Sequence, residues 1–177
     1  FFQGGPYRQA RLTNRYQANS KVPLLIGIDA EWGLGMRLDS TISYPRQMAL
    51  GAIQNDELIY QMGIDIANQC RRLGIHINFA PVVDMNSNPK NPVIGTRAFG
   101  EELENVLRKS KAYMKGLQDG GVIATAKHFP GHGDTDSDSH YTLPVLTHTA
   151  DEIYKTDLLI YQSMIQDSLM GVLSGHL

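Results

Sequence analysis

VIATAKHFPGHGDTDSDSH, residues 122–140, is an apolar run that passes without a break into a crowded polar segment. Residues 127–140 gather three histidines, three aspartates, a lysine and two glycines. Pro130, Gly131 and Gly133 disfavour regular helix, so the segment reads as a loop on the end of a strand, where a rigid scaffold presents side chains to a ligand. No folding requirement calls for so many titratable groups in one turn-rich stretch. It is the candidate active-site loop.

The same unit recurs outward from it. Residues 22–28 form a nearly continuous apolar run, the pattern of a strand covered on both faces in a parallel sheet. They lead into Asp29-Ala30-Glu31-Trp32-Gly33-Leu34-Gly35-Met36-Arg37. Asp29 there can equally serve as a cap or turn residue. Residues 75–80 make a second strand, in which His76 reads as a packed or hydrogen-bonded residue rather than a ligand. Pro81, Asp84, Asn86, Asn88, Pro89, Asn91, Pro92 and Gly95 then leave no room for helix before Arg97. Residues 170–174 read as one more strand.

Helical patterns lie between these strands. Residues 8–20 are polar with scattered apolar positions. From Asn55, available as an N-cap, Ile59, Met62, Gly63, Ile66, Ala67, Cys70 and Leu73 recur at intervals of three and four, and Gly74 closes the run. Residues 101–119 carry Leu103, Val106, Leu107, Tyr113, Met114 and Leu117 on one stripe, with Gly120-Gly121 as a stop. Thr149-Ala150-Asp151-Glu152 has the spacing of a capping box, opening a helix whose Ile153, Leu158, Ile160, Tyr161 and Ile165 supply core contacts.

Strand, polar loop and helix thus repeat about every fifty residues, which implies right-handed βαβ units and a parallel sheet in an α/β protein. An open doubly wound sheet commonly carries a G-x-G-x-x-G turn after its first strand, and none of these loops has one. Polar loops after several successive strands favour a (β/α)8 TIM-type barrel, whose loops converge on one site. A full barrel takes about 250 residues, so 177 residues with about four or five βα units are expected to form part of one barrel domain. The opening Phe1-Phe2-Gln3-Gly4-Gly5, without methionine, reads either as a cut strand end or, in part, as a protease scar, and it leaves localisation open between bacterial cytoplasm and periplasm or exterior.

Composition removes several classes. A net charge of −2 gives no basic footprint for nucleic acid. No apolar run approaches the ~20 residues of a membrane span. The single cysteine, Cys70, falls on an apolar helix face and reads as a small hydrophobe rather than a catalytic thiol.

Four chemistries compete for the loop. Asp134, Asp136 and Asp138 imitate the start of a calcium loop, but Ser139 and Val145 stand where it needs glycine and an acid. His128 and His132 are four apart, a metal-ligand spacing on a helix, but Pro130-Gly131 removes the helix. A serine triad would need G-x-S-x-G, which is absent. Acid/base chemistry remains the favoured reading: Asp138 is close enough to His140 to hold its tautomer and raise its basicity, while Lys127 and His128 act as donors to a polyhydroxylated or anionic substrate. No metal or other cofactor is expected.

The run Lys127-His128-Phe129-Pro130-Gly131-His132-Gly133-Asp134-Thr135, then Asp138-Ser139-His140 and Leu143-Pro144, resembles the signature of glycoside hydrolase family 3, in its β-N-acetylglucosaminidase branch. Asn78-Phe79-Ala80-Pro81-Val82-Val83-Asp84, Asn88-Pro89-Lys90-Asn91-Pro92-Val93-Ile94, Arg97-Ala98-Phe99-Gly100-Glu101 and Leu25-Ile26-Gly27-Ile28-Asp29-Ala30-Glu31 resemble its preceding barrel segments. The resemblance implies a retaining exo-glycosidase that removes terminal β-linked N-acetylglucosamine through a covalent glycosyl-enzyme, with a carbohydrate as its partner molecule. His140, oriented by Asp138, takes the place of the usual carboxylic acid/base. The sugar-binding positions fall on Asp29, Arg37, Arg97, Lys127 and His128. Trp32-Gly33-Leu34-Gly35-Met36 departs from the family's more usual Gly-Gly-Arg-Val-Gln, a difference that bears on Arg37.

The family's nucleophile is an aspartate on a later strand, and its counterpart is expected in the remainder of the parent polypeptide, beyond residue 177. Asp151, Asp157 and Asp167 lie on the expected helix and do not replace it. Four other readings stay open: a β-N-acetylglucosaminide phosphorylase, since a histidine acid/base does not repel an attacking phosphate; another β-glycosidase of the family; a non-catalytic carbohydrate-binding relative; and a metal-dependent hydrolase.

Overall fold

A computed structural model describes residues 3–135 and 149–175. Four strands, β1 (Gly27–Ile28), β2 (Ile77–Asn78), β3 (Ile123–Phe129) and β4 (Gly171–Ser174), form one sheet in chain order. All neighbours are parallel, with Gly27 opposite Ile77, Ile77 opposite Ile123, and Thr125 opposite Gly171. Helix α1 (Pro6–Asn19) precedes them, and α2 (Gln47–Gly51), α3 (Glu57–Arg72), α4 (Leu103–Asp119), α5 (Ala150–Lys155) and α6 (Asp157–Gln166) connect them. Sequential parallel order with helical crossovers is the arrangement of a β/α barrel, of which these strands make a partial sheet. No helix among the described residues is long and apolar enough to cross a membrane.

The core follows the predicted periodicities. In α3, Ile59, Met62, Ile66, Ala67 and Cys70 are buried, and Asn55 Oδ1 accepts the Glu57 amide at 3.1 Å. In α4, Val106, Tyr113, Met114 and Leu117 face the same layer. The two helices approach closely at Gly63 and Gly116, where a Cβ on either would collide with the partner backbone. The Thr149–Glu152 capping box is present. His76 is exposed but hydrogen-bonded, its Nδ1 accepting the Ile26 amide at 3.1 Å.

Several expectations need correction, among them the second strand, which covers Ile77–Asn78 rather than residues 75–80. The strand anticipated over residues 22–28 contracts to Gly27–Ile28, because Val22 and Leu25 are 72% and 69% exposed; an apolar run is not a strand unless a layer covers both its faces. The third strand does not end at Ala126 but carries Lys127, His128 and Phe129, since β4 and the segment after β2 continue to pair with it. A single helix after Thr149 is instead two, broken at Thr156, whose φ of −117° and ψ of −93° are not helical. Ile165 is exposed rather than core. Residues 95–97 form a short 3-10 turn where only loop was expected, and α2 had no anticipated counterpart.

Candidate active site

The ends of β1, β2 and β3 meet because backbone and side chains lock them in register. Asn78 Oδ1 accepts the Ala30 amide at 3.0 Å and its Nδ2 donates to the Ala30 carbonyl at 3.1 Å. From α4, Tyr113 Oη donates toward the Ala30 and Glu31 carbonyls, each at 3.1 Å. Gln47 of α2 bonds both the amide and the carbonyl of Val82, and the Val83 amide donates to the Lys127 carbonyl at 2.8 Å. These contacts aim Glu31, Asp84 and Lys127 at one place.

What assembles is a chain of alternating charges. Arg37 Nη2 donates to Asp29 Oδ2 at 2.9 Å, and Lys127 Nζ reaches Asp29 Oδ1 at 3.0 Å and Glu31 Oε1 at 2.7 Å. Arg97 grips the same Glu31 with two bonds, Nη2 to Oε1 at 2.7 Å and Nε to Oε2 at 3.0 Å. Its Nη2 also lies 3.4 Å from His128 Nε2, and His128 Nδ1 is 2.6 Å from Asp84 Oδ2. The side chains of Lys127, Glu31 and Asp84 are at most 3% exposed, while Asp29, Arg37, Arg97 and His128 remain partly open. A cavity of about 750 Å³ opens over them, walled also by Trp32, Met36, Val93, His132 and Leu173.

The electrostatics follow from this pairing. Burial alone would push the Glu31 carboxyl up, but the Arg97 hydrogen bonds and the Lys127 charge outweigh it and hold the pKa at about 2. Asp29 is likewise held below the usual carboxylate range, burial being overcome by Lys127 and then Arg37. Asp84, fully enclosed, is lowered by bonds from His128 and the His132 amide against the cost of burial. Because Glu31 titrates at 4.5 when unperturbed and at about 2 in the fold, the unfolded chain binds more protons between these values. The stability from this group is present above pH 4.5 and lost as pH falls toward 2, an expected ~3 kcal/mol. Urea unfolding across that window should show the loss, and Glu31→Gln should flatten the pH slope. An unchanged slope would remove Glu31 from the ion network.

The arrangement suits a polyhydroxylated ligand. Lys127 Nζ has three protons, of which two go to Asp29 and Glu31, and each Asp29 oxygen has a further lone pair for a hydroxyl. Asp29, Arg37, Arg97, Lys127 and His128, the five sugar-binding positions expected from the sequence, all line this cavity. Glu31 and Asp84 were not singled out, although both stand in the quoted strand-end motifs. His128 meets Asp84 through Nδ1 and Arg97 through Nε2. Asp138 and His140 lie outside the described residues.

Other candidates fall away. Cys70 is buried and its thiol is pushed up to about 12 by burial. Among the described residues no three His, Cys, Asp or Glu side chains gather as metal ligands, and His132 Nδ1 lies 2.6 Å from Thr135 Oγ1. Asp167 pairs with Lys111 at 2.6 Å, and Asp151 is exposed in the first turn of α5. Burial raises the Asp157 carboxyl, aided by Asp84 and Asp134, but Asp157 does not line the cavity.

Charged residues from successive strand ends around one open cavity, on a parallel sheet with helical crossovers, define a β/α-barrel protein with a candidate polar-ligand site at the C-terminal face of its strands. Residues 6–177 match the glycosyl hydrolase family 3 N-terminal domain, and the chain belongs to that family. It is 40% identical to beta-hexosaminidase A of Pseudoalteromonas piscicida over 91% of this chain and 28% of that protein. A family 3 beta-N-acetylglucosaminidase from Paenibacillus sp. FPU-7 superposes with a TM-score of 0.90 at 40% identity, over 98% of this chain and 36% of the other. A beta-glucoside phosphorylase, BglX, superposes with a TM-score of 0.92 at 30% identity, over 97% and 31%. The chain spans about a third of the length of these relatives.

Proposed function

We propose that this chain is part of the catalytic barrel of a retaining exo-glycosidase that releases terminal β-linked N-acetylglucosamine from glycans or peptidoglycan fragments. The observation that carries the reading is the Asp29–Lys127–Glu31–Arg97–His128 array beneath one cavity. It offers donors and acceptors for ring hydroxyls on a rigid strand-end scaffold, and the relatives named for β-hexosaminidase and beta-N-acetylglucosaminidase activity support the choice of sugar. Asp29 and Lys127 hold hydroxyls, Arg37, Arg97 and His128 complete the pocket, and Asp138–His140 serves as the acid/base pair.

A retaining mechanism needs a carboxylate free to attack the anomeric carbon. Asp29, Glu31 and Asp84 are each committed to cations or to histidine, so the nucleophile is assigned to a further strand of the parent polypeptide. Residues 1–177 alone should therefore give no turnover of an aryl β-N-acetylglucosaminide, whereas the full-length protein should. Proton NMR of the reaction in the full-length protein should show the β-anomer of the released sugar first. First appearance of the α-anomer would overturn the retaining assignment, and turnover by the isolated 177 residues would overturn the placement of the nucleophile. The likeness to a beta-glucoside phosphorylase sets a further arm: turnover that requires inorganic phosphate and yields a sugar 1-phosphate would replace hydrolysis with phosphorolysis.

A further inference from the structure

We propose that Asp84 is a positioning residue that fixes the tautomer of His128 and, through it, the kind of group the sugar pocket accepts. The proposal rests on the glycosidase reading for its consequence, though not for its geometry. A guanidinium carries only donors, so the 3.4 Å approach of Arg97 Nη2 to His128 Nε2 is attractive when Nε2 holds a lone pair. The ring proton then sits on Nδ1 and is donated to Asp84 Oδ2 at 2.6 Å. Arg97 cannot turn away easily, because Glu31 holds it with two bonds. Two carboxylates from segments that follow different strands thus set one imidazole from both sides, Asp84 directly and Glu31 by way of Arg97.

Two consequences follow. His128 Nε2, on the cavity wall, has one lone pair, and its contact with Arg97 Nη2 is long at 3.4 Å, so a ligand group that meets it must be a hydroxyl that donates in place of that contact. Lys127 beside it supplies the complementary donor. Asp84 also accepts the His132 amide through Oδ1 at 2.8 Å, and His132 is further held by Asn91, whose Nδ2 donates to its carbonyl at 2.7 Å. Gly133 follows, where a Cβ would collide with the Met85 carbonyl. The same carboxylate therefore ties the sugar pocket to the base of the segment leading toward Asp138 and His140.

The test is nitrogen NMR of the full-length protein labelled with ¹⁵N-histidine at neutral pH, with His128→Gln identifying the resonances. The expected result is a pyrrole-like Nδ1 and a pyridine-like Nε2 at His128. Asp84→Asn should move these signals toward the opposite tautomer and lower kcat/KM about 10²-fold with a rise in KM, because a pocket contact is lost. A purely structural Asp84 would lower kcat through the folded fraction and leave KM and the tautomer unchanged. A protonated Nε2 in the wild-type protein overturns the proposal whether or not the variant folds, as does an unchanged tautomer in folded Asp84→Asn. The expected NMR result in a protein that turns over no glycoside would leave Asp84 assigned and overturn the function instead.

Discussion

His140→Ala in the full-length protein should, on the proposed function, lower kcat/KM about 10³-fold on a natural β-linked N-acetylglucosaminyl disaccharide, and far less on an aryl glycoside with an acidic phenol. The expectation rests on the chemistry of the leaving group. An alkoxide expelled from a disaccharide needs a proton as the glycosidic bond breaks, whereas an acidic phenolate leaves without one. Asp138→Asn should give a milder loss with the same selectivity, since the imidazole stays and only its orienting charge goes. The measurement is kcat/KM for a series of glycosides of graded leaving-group acidity. Equal losses along the series would mean that both residues merely order their loop, and His140 would lose its catalytic assignment.

The second large effect concerns Lys127. Lys127→Met keeps the aliphatic stem but removes the charge that separates Asp29 from Glu31, two carboxylates whose bonds to Lys127 Nζ are 3.0 and 2.7 Å. Glu31, 1% exposed, would keep Arg97 but lose half of its compensation. Breaking a buried pair on one side typically costs about 3–5 kcal/mol, a large share of the ~5–15 kcal/mol that holds a domain together. Urea unfolding should register this as a lower midpoint. Adding Glu31→Gln should restore part of the loss, because the orphaned charge is then gone; a double-mutant cycle reads the coupling. Under conditions where the variant is still folded, kcat/KM should fall by roughly 10²-fold or more from the lost sugar contact, about 3 kcal/mol. An unchanged midpoint would contradict the buried network, and wild-type kcat/KM would remove Lys127 from the site.

Some parts of this molecule were readable because the information is local. Helical periodicity in α3 and α4, the N-terminal role of Asn55 and the Thr149 capping box each depend on residues within a few positions of one another. The glycine- and proline-rich segment after β3 was legible for the same reason, as was the membership of Asp29, Arg97, Lys127 and His128 in quoted motifs. Continuous apolarity was less informative. Residues 22–25 resemble a buried strand in composition but lie on the surface, since composition does not say whether another layer covers them.

The sequence by itself determined the alternation of strand and helix, the polar character of the strand ends and the identities of five groups that line the cavity. Tertiary structure alone decided how those groups are paired. Glu31 becomes the hub of the site only because Lys127 and Arg97 arrive from 96 and 66 positions along the chain, and Asp84 becomes the partner of His128 because the segment after β2 runs alongside the end of β3. A carboxylate on a strand end looks the same in sequence whether it faces solvent, ligand or cation. Parallel register determines which, and with it the depressed titration of Glu31 and the pairing of His128 Nδ1 with Asp84.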